Sequence, residues 1–242
     1  MKTASMISTW MLISTLIATC AAPAGQAPTA DEIVGRMMER DHARQASLRA
    51  YNWTSHYVLD NKERHAEMTV RWARQADGTK RYDIADERGD GAVRSHVFQK
   101  LLASEVEASQ PVFQDRNRLN TRNYAFRLTG SEEVNGRLAY TLEIEPKTDS
   151  KYLIKGRIWV DAQDYAVVRV EGSPSKRPSF WTKDVNFVQT FEKNGDYWMA
   201  ASNRSVTNAK IFGEADLVIR HSGYQFPSAP VTSASYRPPA NQ

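Results

Sequence analysis

Cysteine is nearly missing from this chain: Cys20 is the single one among 242 residues. One thiol closes no intrachain disulfide and supports no thiolate metal site, so stability must come from a hydrophobic core. Long apolar runs are missing too. The run from Met6 to Ala18 (MISTWMLISTLIA) falls short of the ~20 residues that span a bilayer as a helix. It follows Lys2 and precedes Ala22-Pro23-Ala24. That order of charge, apolar run and small residues predicts a signal peptide over residues 1–24 and export to the periplasm. Charge of one sign is lacking as well, with 32 Lys and Arg interspersed among 28 Asp and Glu. Such a balance offers no basic face for nucleic acid.

Catalytic and metal-binding motifs are equally scarce. The five histidines, His42, His56, His65, His96 and His221, show no HxxxH or HExxH spacing, and there is no CxxC, GxSxG or P-loop. The reading is therefore no metal, no cofactor and no enzyme. Asp161/Asp164 and Glu132/Glu133 are acid pairs capable of general acid–base work, but they fall in turn sequences where carboxylates are usually solvated.

What is present is strand pattern. Lys151 to Gly172 (KYLIKGRIWVDAQDYAVVRVEG) alternates Ile154, Gly156, Ile158 and Val160 on one face with Lys155, Arg157, Trp159 and Asp161 on the other. After the turn Asp161-Ala162-Gln163-Asp164, Ala166, Val168 and Val170 alternate with Val167, Arg169 and Glu171. Period-2 alternation of this kind marks half-buried antiparallel strands. Similar alternation runs through Trp53–Leu59, Met68–Trp72, Tyr82–Ile84, Tyr124–Leu128, Leu138–Ile144, Val185–Phe191, Tyr197–Val206 and Phe212–His221, with turn signals such as Asn135-Gly136 between them. Thr29 to Tyr51 predicts a helix opened by a Thr29/Glu32 capping box, and Val93 to Gln110 a second one stopped by Pro111. Arg88 to Gly91 reads as a polar loop.

A sheet of that length must curl or close to protect its edges. The predicted class is mainly β (α+β): an open, highly curved antiparallel sheet of about 10–11 strands, an incomplete barrel, with helices against its concave side. One domain over residues 29–226 follows, with a Pro/Ser-rich, disordered tail over 227–242.

The runs NYAFRLTGSEEVNGRLAYTLEIEPK, KYLIKGRIWVDAQDYAVVRVEG and FVQTFEKNGDYWMAASNRS resemble the periplasmic lipoprotein-carrier (LolA/LolB-like) superfamily, in which a G-x-[IVL]-[WY]-[IV]-D strand turns back and a later hairpin carries N-G-x-[YW]-W. The resemblance implies a half-barrel whose apolar interior holds acyl chains of lipids or lipoproteins. It implies a monomeric carrier that sorts outer-membrane lipoproteins without catalysis and releases its load when the helices move off the cavity. The partner it implies is a membrane-bound donor or acceptor protein. The alternatives are an envelope-stress sensor on the same scaffold and a structural outer-membrane lipoprotein. The last depends on Cys20, whose setting Ile17-Ala18-Thr19-Cys20 resembles a bacterial lipidation signal.

Candidate cavity residues are the apolar-phase side chains Met37, Met38, Trp53, Tyr57, Trp72, Tyr124, Phe126, Tyr140, Phe187 and Phe191, all of which an ordinary core would also use. The loop around Lys176, Arg177, Phe180 and Trp181 sets basic groups beside aromatics, which suits anionic headgroups or a membrane interface.

Overall fold

The computed structural model describes residues 27–176, 182–209 and 213–226. Helix α1 runs from Ala30 to Ser47. Its capping box is formed, with the Glu32 amide donating to Thr29 Oγ1 at 3.3 Å and the Thr29 amide to Glu32 Oε2 at 2.8 Å. Thr29→Ala is expected to lower stability by about 1 kcal/mol in urea unfolding. An unchanged midpoint would show that the helix does not rely on its cap. The polar stretch near residue 41 does not break α1, because Asp41 accepts from Arg44 at 2.9 Å and from Gln45 on the same helix. The helix stops earlier than the sequence predicts, and Tyr51 already belongs to the first strand.

Among the described residues ten strands follow: β1 (Tyr51–Asp60), β2 (His65–Arg74), β3 (Lys80–Gly89), β4 (Tyr124–Val134), β5 (Arg137–Pro146), β6 (Ile154–Asp161), β7 (Val167–Pro174), β8 (Thr182–Asn194), β9 (Tyr197–Ala209) and β10 (Gly213–Gln225). They form one antiparallel sheet in the order β3-β2-β1-β10-β9-β8-β7-β6-β5-β4. The sheet is curved and open, since β3 and β4 stand at its two ends and do not pair. These end strands are neighbours in the chain. The connection between them is α2 (Gly91–Val93), a π-helical turn (Arg94–Phe98), α3 (Gln99–Ala108), the short α4 (Pro111–Gln114) and a 3₁₀ turn (Asp115–Asn117). Arg88 and Gly89 finish β3, and Asp90 caps α2 by accepting from the Val93 amide at 2.9 Å, so the expected polar loop is a strand end and a helix cap.

Two core clusters occupy the helix-bearing face. Val93, Phe98 and Leu102 of the insertion pack on Trp53, Tyr57, Met68, Val70 and Trp72 of β1 and β2. Ile33, Val34 and Met37 of α1 pack on Tyr124, Leu142, Ile144, Ile158 and Val170 at the other end of the sheet. The helices thus cover the two ends and leave the middle strands to floor a groove.

The β6–β7 hairpin departs from its simple alternation. A bulge lies where Trp159 and Val160 meet Arg169 and Val167. Val167 therefore packs with the α1 cluster, while Val168 joins Trp159 and Ala139 in a small separate cluster. Trp159 is buried although it stands in phase with charged residues, because Arg157 and Arg169 lie over its ring at 5.3 and 4.9 Å. Gly156 faces Gly172 directly across the two strands. A Cβ on Gly156 would come within 2.0 Å of the Glu171 carbonyl oxygen, so only glycine lets the backbones approach this closely.

Candidate functional site

The groove holds about 910 Å³. That lies in the range of small-molecule sites, roughly 300–1,000 Å³. One wall is the second half of α1, from Met37 to Ser47, and the opposite wall comes from Glu105 of α3 and the stretch Asn117–Leu119. Its floor is built by β7, β8, β9, β10 and β1, through residues such as Val167, Phe191, Met199, Tyr224 and Trp53. Arg36 ties α1 to the β6–β7 turn, donating to the Tyr165 hydroxyl at 2.8 Å with its guanidinium 5.0 Å from that ring's centre. Arg118 donates to Gln45 at 2.7 Å and joins the two walls.

One end of the groove is aromatic. Trp53 stacks on Trp72 at 5.7 Å and on Tyr224 at 6.2 Å, and Tyr224 stacks in turn on Phe226 at 6.4 Å. Offset aromatic stacks of this kind form a rigid apolar wall. Against it sits a small polar group of residues. Lys80 forms an ion pair with Glu105, and its ammonium lies 5.8 Å from the centre of the Trp53 ring. Lys80 is partly buried and Glu105 exposed, with 26% and 46% of their side chains accessible, and both line the groove. Burial alone would discharge Lys80, but the charge and hydrogen bond of Glu105 outweigh it and hold the lysine pKa above its ordinary value. Lys80 in return holds the Glu105 carboxyl below the usual range against burial. The pair is ionised at neutral pH.

His221 completes this end. Its Nδ1 lies 2.8 Å from Ser55 Oγ, which also accepts from the Trp53 indole at 3.1 Å. Trp53 can only donate, so Ser55 spends one of its two lone pairs on the indole and meets His221 with either its hydroxyl proton or its other lone pair. Burial pushes the His221 pKa from 6.5 down to about 4. The unfolded chain therefore binds the proton first as pH falls. Stability from this residue is complete above pH 6.5 and declines from there toward about 4. A histidine-resolved NMR titration should show a neutral His221 throughout the range above about 4, and a midpoint near 6.5 would contradict its placement.

Of the sequence-predicted cavity residues, Met37, Trp53 and Phe191 line the groove. Tyr57 and Trp72 lie inside the β1–β3 core, and Tyr124 inside the α1 core, with Met38, Phe126 and Tyr140 packed at the margin of the latter. Phe187 also packs there, and it borders a second hollow of about 570 Å³ beside Gly156, Gly172 and Arg204. Lys176 is exposed, its amide donating to the Ser150 carbonyl at 3.3 Å. Cys20, Arg177, Phe180, Trp181, the predicted signal peptide and the tail after Phe226 lie outside the described residues. Among the described residues no group of three or more His, Cys, Asp or Glu is arranged to hold a metal, and no helix is long and apolar enough to cross a membrane.

Lys80 and Glu105 are absent from the sequence-predicted site residues, and His221 stands there only as one of five scattered histidines. Lys80 stands in phase with Tyr82 and Ile84, and His221 with Leu217 and Ile219, so each is a polar residue on an apolar strand face. That was the available signal. Glu105 gave none, because only the fold-back of the insertion brings it to β3.

A family of unknown function, DUF5686, matches residues 117–221. No curated protein matches the chain. Solved structures similar to it include an outer-membrane lipoprotein-sorting protein domain from Vibrio parahaemolyticus, with a TM-score of 0.47 and 16% identity over 82% of this chain and 94% of that one. A LolA superfamily protein from Nitrosomonas europaea gives a TM-score of 0.45 at 13% identity, over 84% and 96%. A DUF1329 family protein from Desulfovibrio piger gives 0.44 at 16%, over 83% and 94%.

Proposed function

We propose that this protein binds the acyl chains of lipids or lipoproteins in the groove between α1 and the sheet, as a periplasmic carrier without catalysis. The observation that carries this reading is the groove itself, about 910 Å³, with Met199 and aromatic side chains on its floor and Met37 on the α1 wall beside Arg40, Asp41 and Arg44. Each acyl methylene moved from water into such a surface contributes about 0.8 kcal/mol, so one chain gives useful affinity. Met37 and Met199 are unbranched and polarisable, which suits an irregular, exchangeable chain. The α1 wall is tied down by few polar contacts, Arg36 to Tyr165 among them, and its displacement would release the load.

Native mass spectrometry of protein purified from envelope extracts tests the reading, combined with uptake of a fluorescent fatty acid by the emptied protein. Co-purified acyl ligands and saturable uptake are expected. A clean apo mass together with no uptake would remove the proposal.

A further inference from the structure

The charged end of the groove presents a problem for a purely apolar ligand. An acyl chain filling the site would strip water from Lys80, Glu105 and His221 without offering them a hydrogen bond. Lysine has three donors and carboxylate two acceptor oxygens, so their mutual ion pair leaves part of each unsatisfied. His221, held to Ser55 through Nδ1, adds a polar ring to this end of the groove. Lys80 and Glu105 are both reached by solvent in the groove, and a ligand that covered them without giving them partners would cost far more than the net value of a bond made. Lys80 and Glu105 have opposite charges, so a singly charged head would satisfy one and repel the other.

The geometry points to an amphiphile with a zwitterionic head as the ligand of this groove, its phosphate or other anion meeting Lys80 and its ammonium meeting Glu105. This rests on the reading of the groove as an acyl-chain site, and adds what the head must be. The ammonium would also lie beside the Tyr51–Trp53–Tyr224 wall, whose ring faces attract cations. Lys80 already uses the Trp53 ring in this way. The head sits at the aromatic end, and the chain extends over Met199 and Phe191 toward Val167 and α1.

Four probes with the same acyl length separate the possibilities: lysophosphatidylethanolamine (both charges), the fatty acid (anion), the alkyltrimethylammonium (cation) and the monoacylglycerol (neutral). Displacement of a fluorescent acyl reporter from the full mature chain should rank the zwitterion at least about tenfold tighter than the neutral probe. Glu105→Gln should shift the preference to the fatty acid, and Lys80→Gln to the alkylammonium. Such reciprocal switching is something a merely structural ion pair would not produce. Should either single variant fail to fold, Lys80→Met with Glu105→Met leaves no unpaired buried charge and should bring the zwitterion and the neutral probe together. If all four heads bind wild type within about twofold, or if the double variant keeps the preference, the headgroup inference is overturned while the groove reading stands. If no probe binds, the neutral one included, both fall together.

Discussion

Asp161→Ala is expected to destabilise the protein by about 3 kcal/mol, the low end for breaking a buried charge pair. Asp161 is 1% exposed and accepts from Arg137 Nε at 2.6 Å and Nη2 at 2.8 Å. It also accepts from the Gln163 and Asp164 amides at 3.0 and 2.7 Å, which sets the β6–β7 turn. The loss stays at that low end because Arg137 keeps 35% of its side chain in solvent, and water takes over part of its interaction. Urea unfolding measures the loss, and a change below about 1 kcal/mol would show that the turn does not need this carboxylate.

The same group predicts an acid limb. Burial by itself would favour the protonated acid, but the hydrogen bonds from Arg137 and the two turn amides hold the Asp161 pKa below its ordinary 3.8. The folded state therefore binds this proton less readily than the unfolded one. Its contribution is complete above that value and is lost as pH falls below it through the native pKa. Asp164 beside it behaves likewise, against burial, through Trp198 at 2.9 Å and Lys193 at 3.0 Å.

Phe191→Asp carries the largest expected effect on binding. Phe191 is partly buried at the groove floor, so a charge there removes apolar contact with the chain and leaves a carboxylate to be desolvated. Loss of one aromatic contact is worth about 1.5–3 kcal/mol, or a ten- to hundredfold weaker acyl probe. Phe191 also packs against the α1 core, so some stability is lost as well, and affinity is read on the folded fraction. Phe126→Asp makes the contrast: Phe126 packs at the margin of the α1 core and does not line the groove, so stability should fall more than affinity. Equal affinity loss for the two would show that the groove is not the site.

Much of the fold was legible because strands and turns write themselves locally. Asn135-Gly136 gave its hairpin, with both residues at positive φ, and the Ile154, Ile158 and Val160 face packs where the alternation placed it. The bulge at Val167–Val168 was not legible, because the alternation persists through the sequence while the chain slips by one residue. Asp161 was read correctly as a turn former and wrongly as solvated. The bidentate partner that buries it lies on another strand, at Arg137. For the groove, apolar phase identified Trp53 and Phe191 but could not separate them from Tyr57 or Trp72, since the face is shared. Which part of that face stays open depends on where α1 and the insertion come to rest.

The central claim is that an acyl chain lies between α1 and strands β8–β10. Paramagnetic broadening by a fatty acid spin-labelled along its chain tests it most directly. The account predicts strong broadening at Phe191, Met199, Ala200 and Tyr224 and at α1 from Met37 to Ser47. Broadening centred instead on Arg157, Val188 and Val206 beside the second hollow, or spread evenly over the surface, would contradict it.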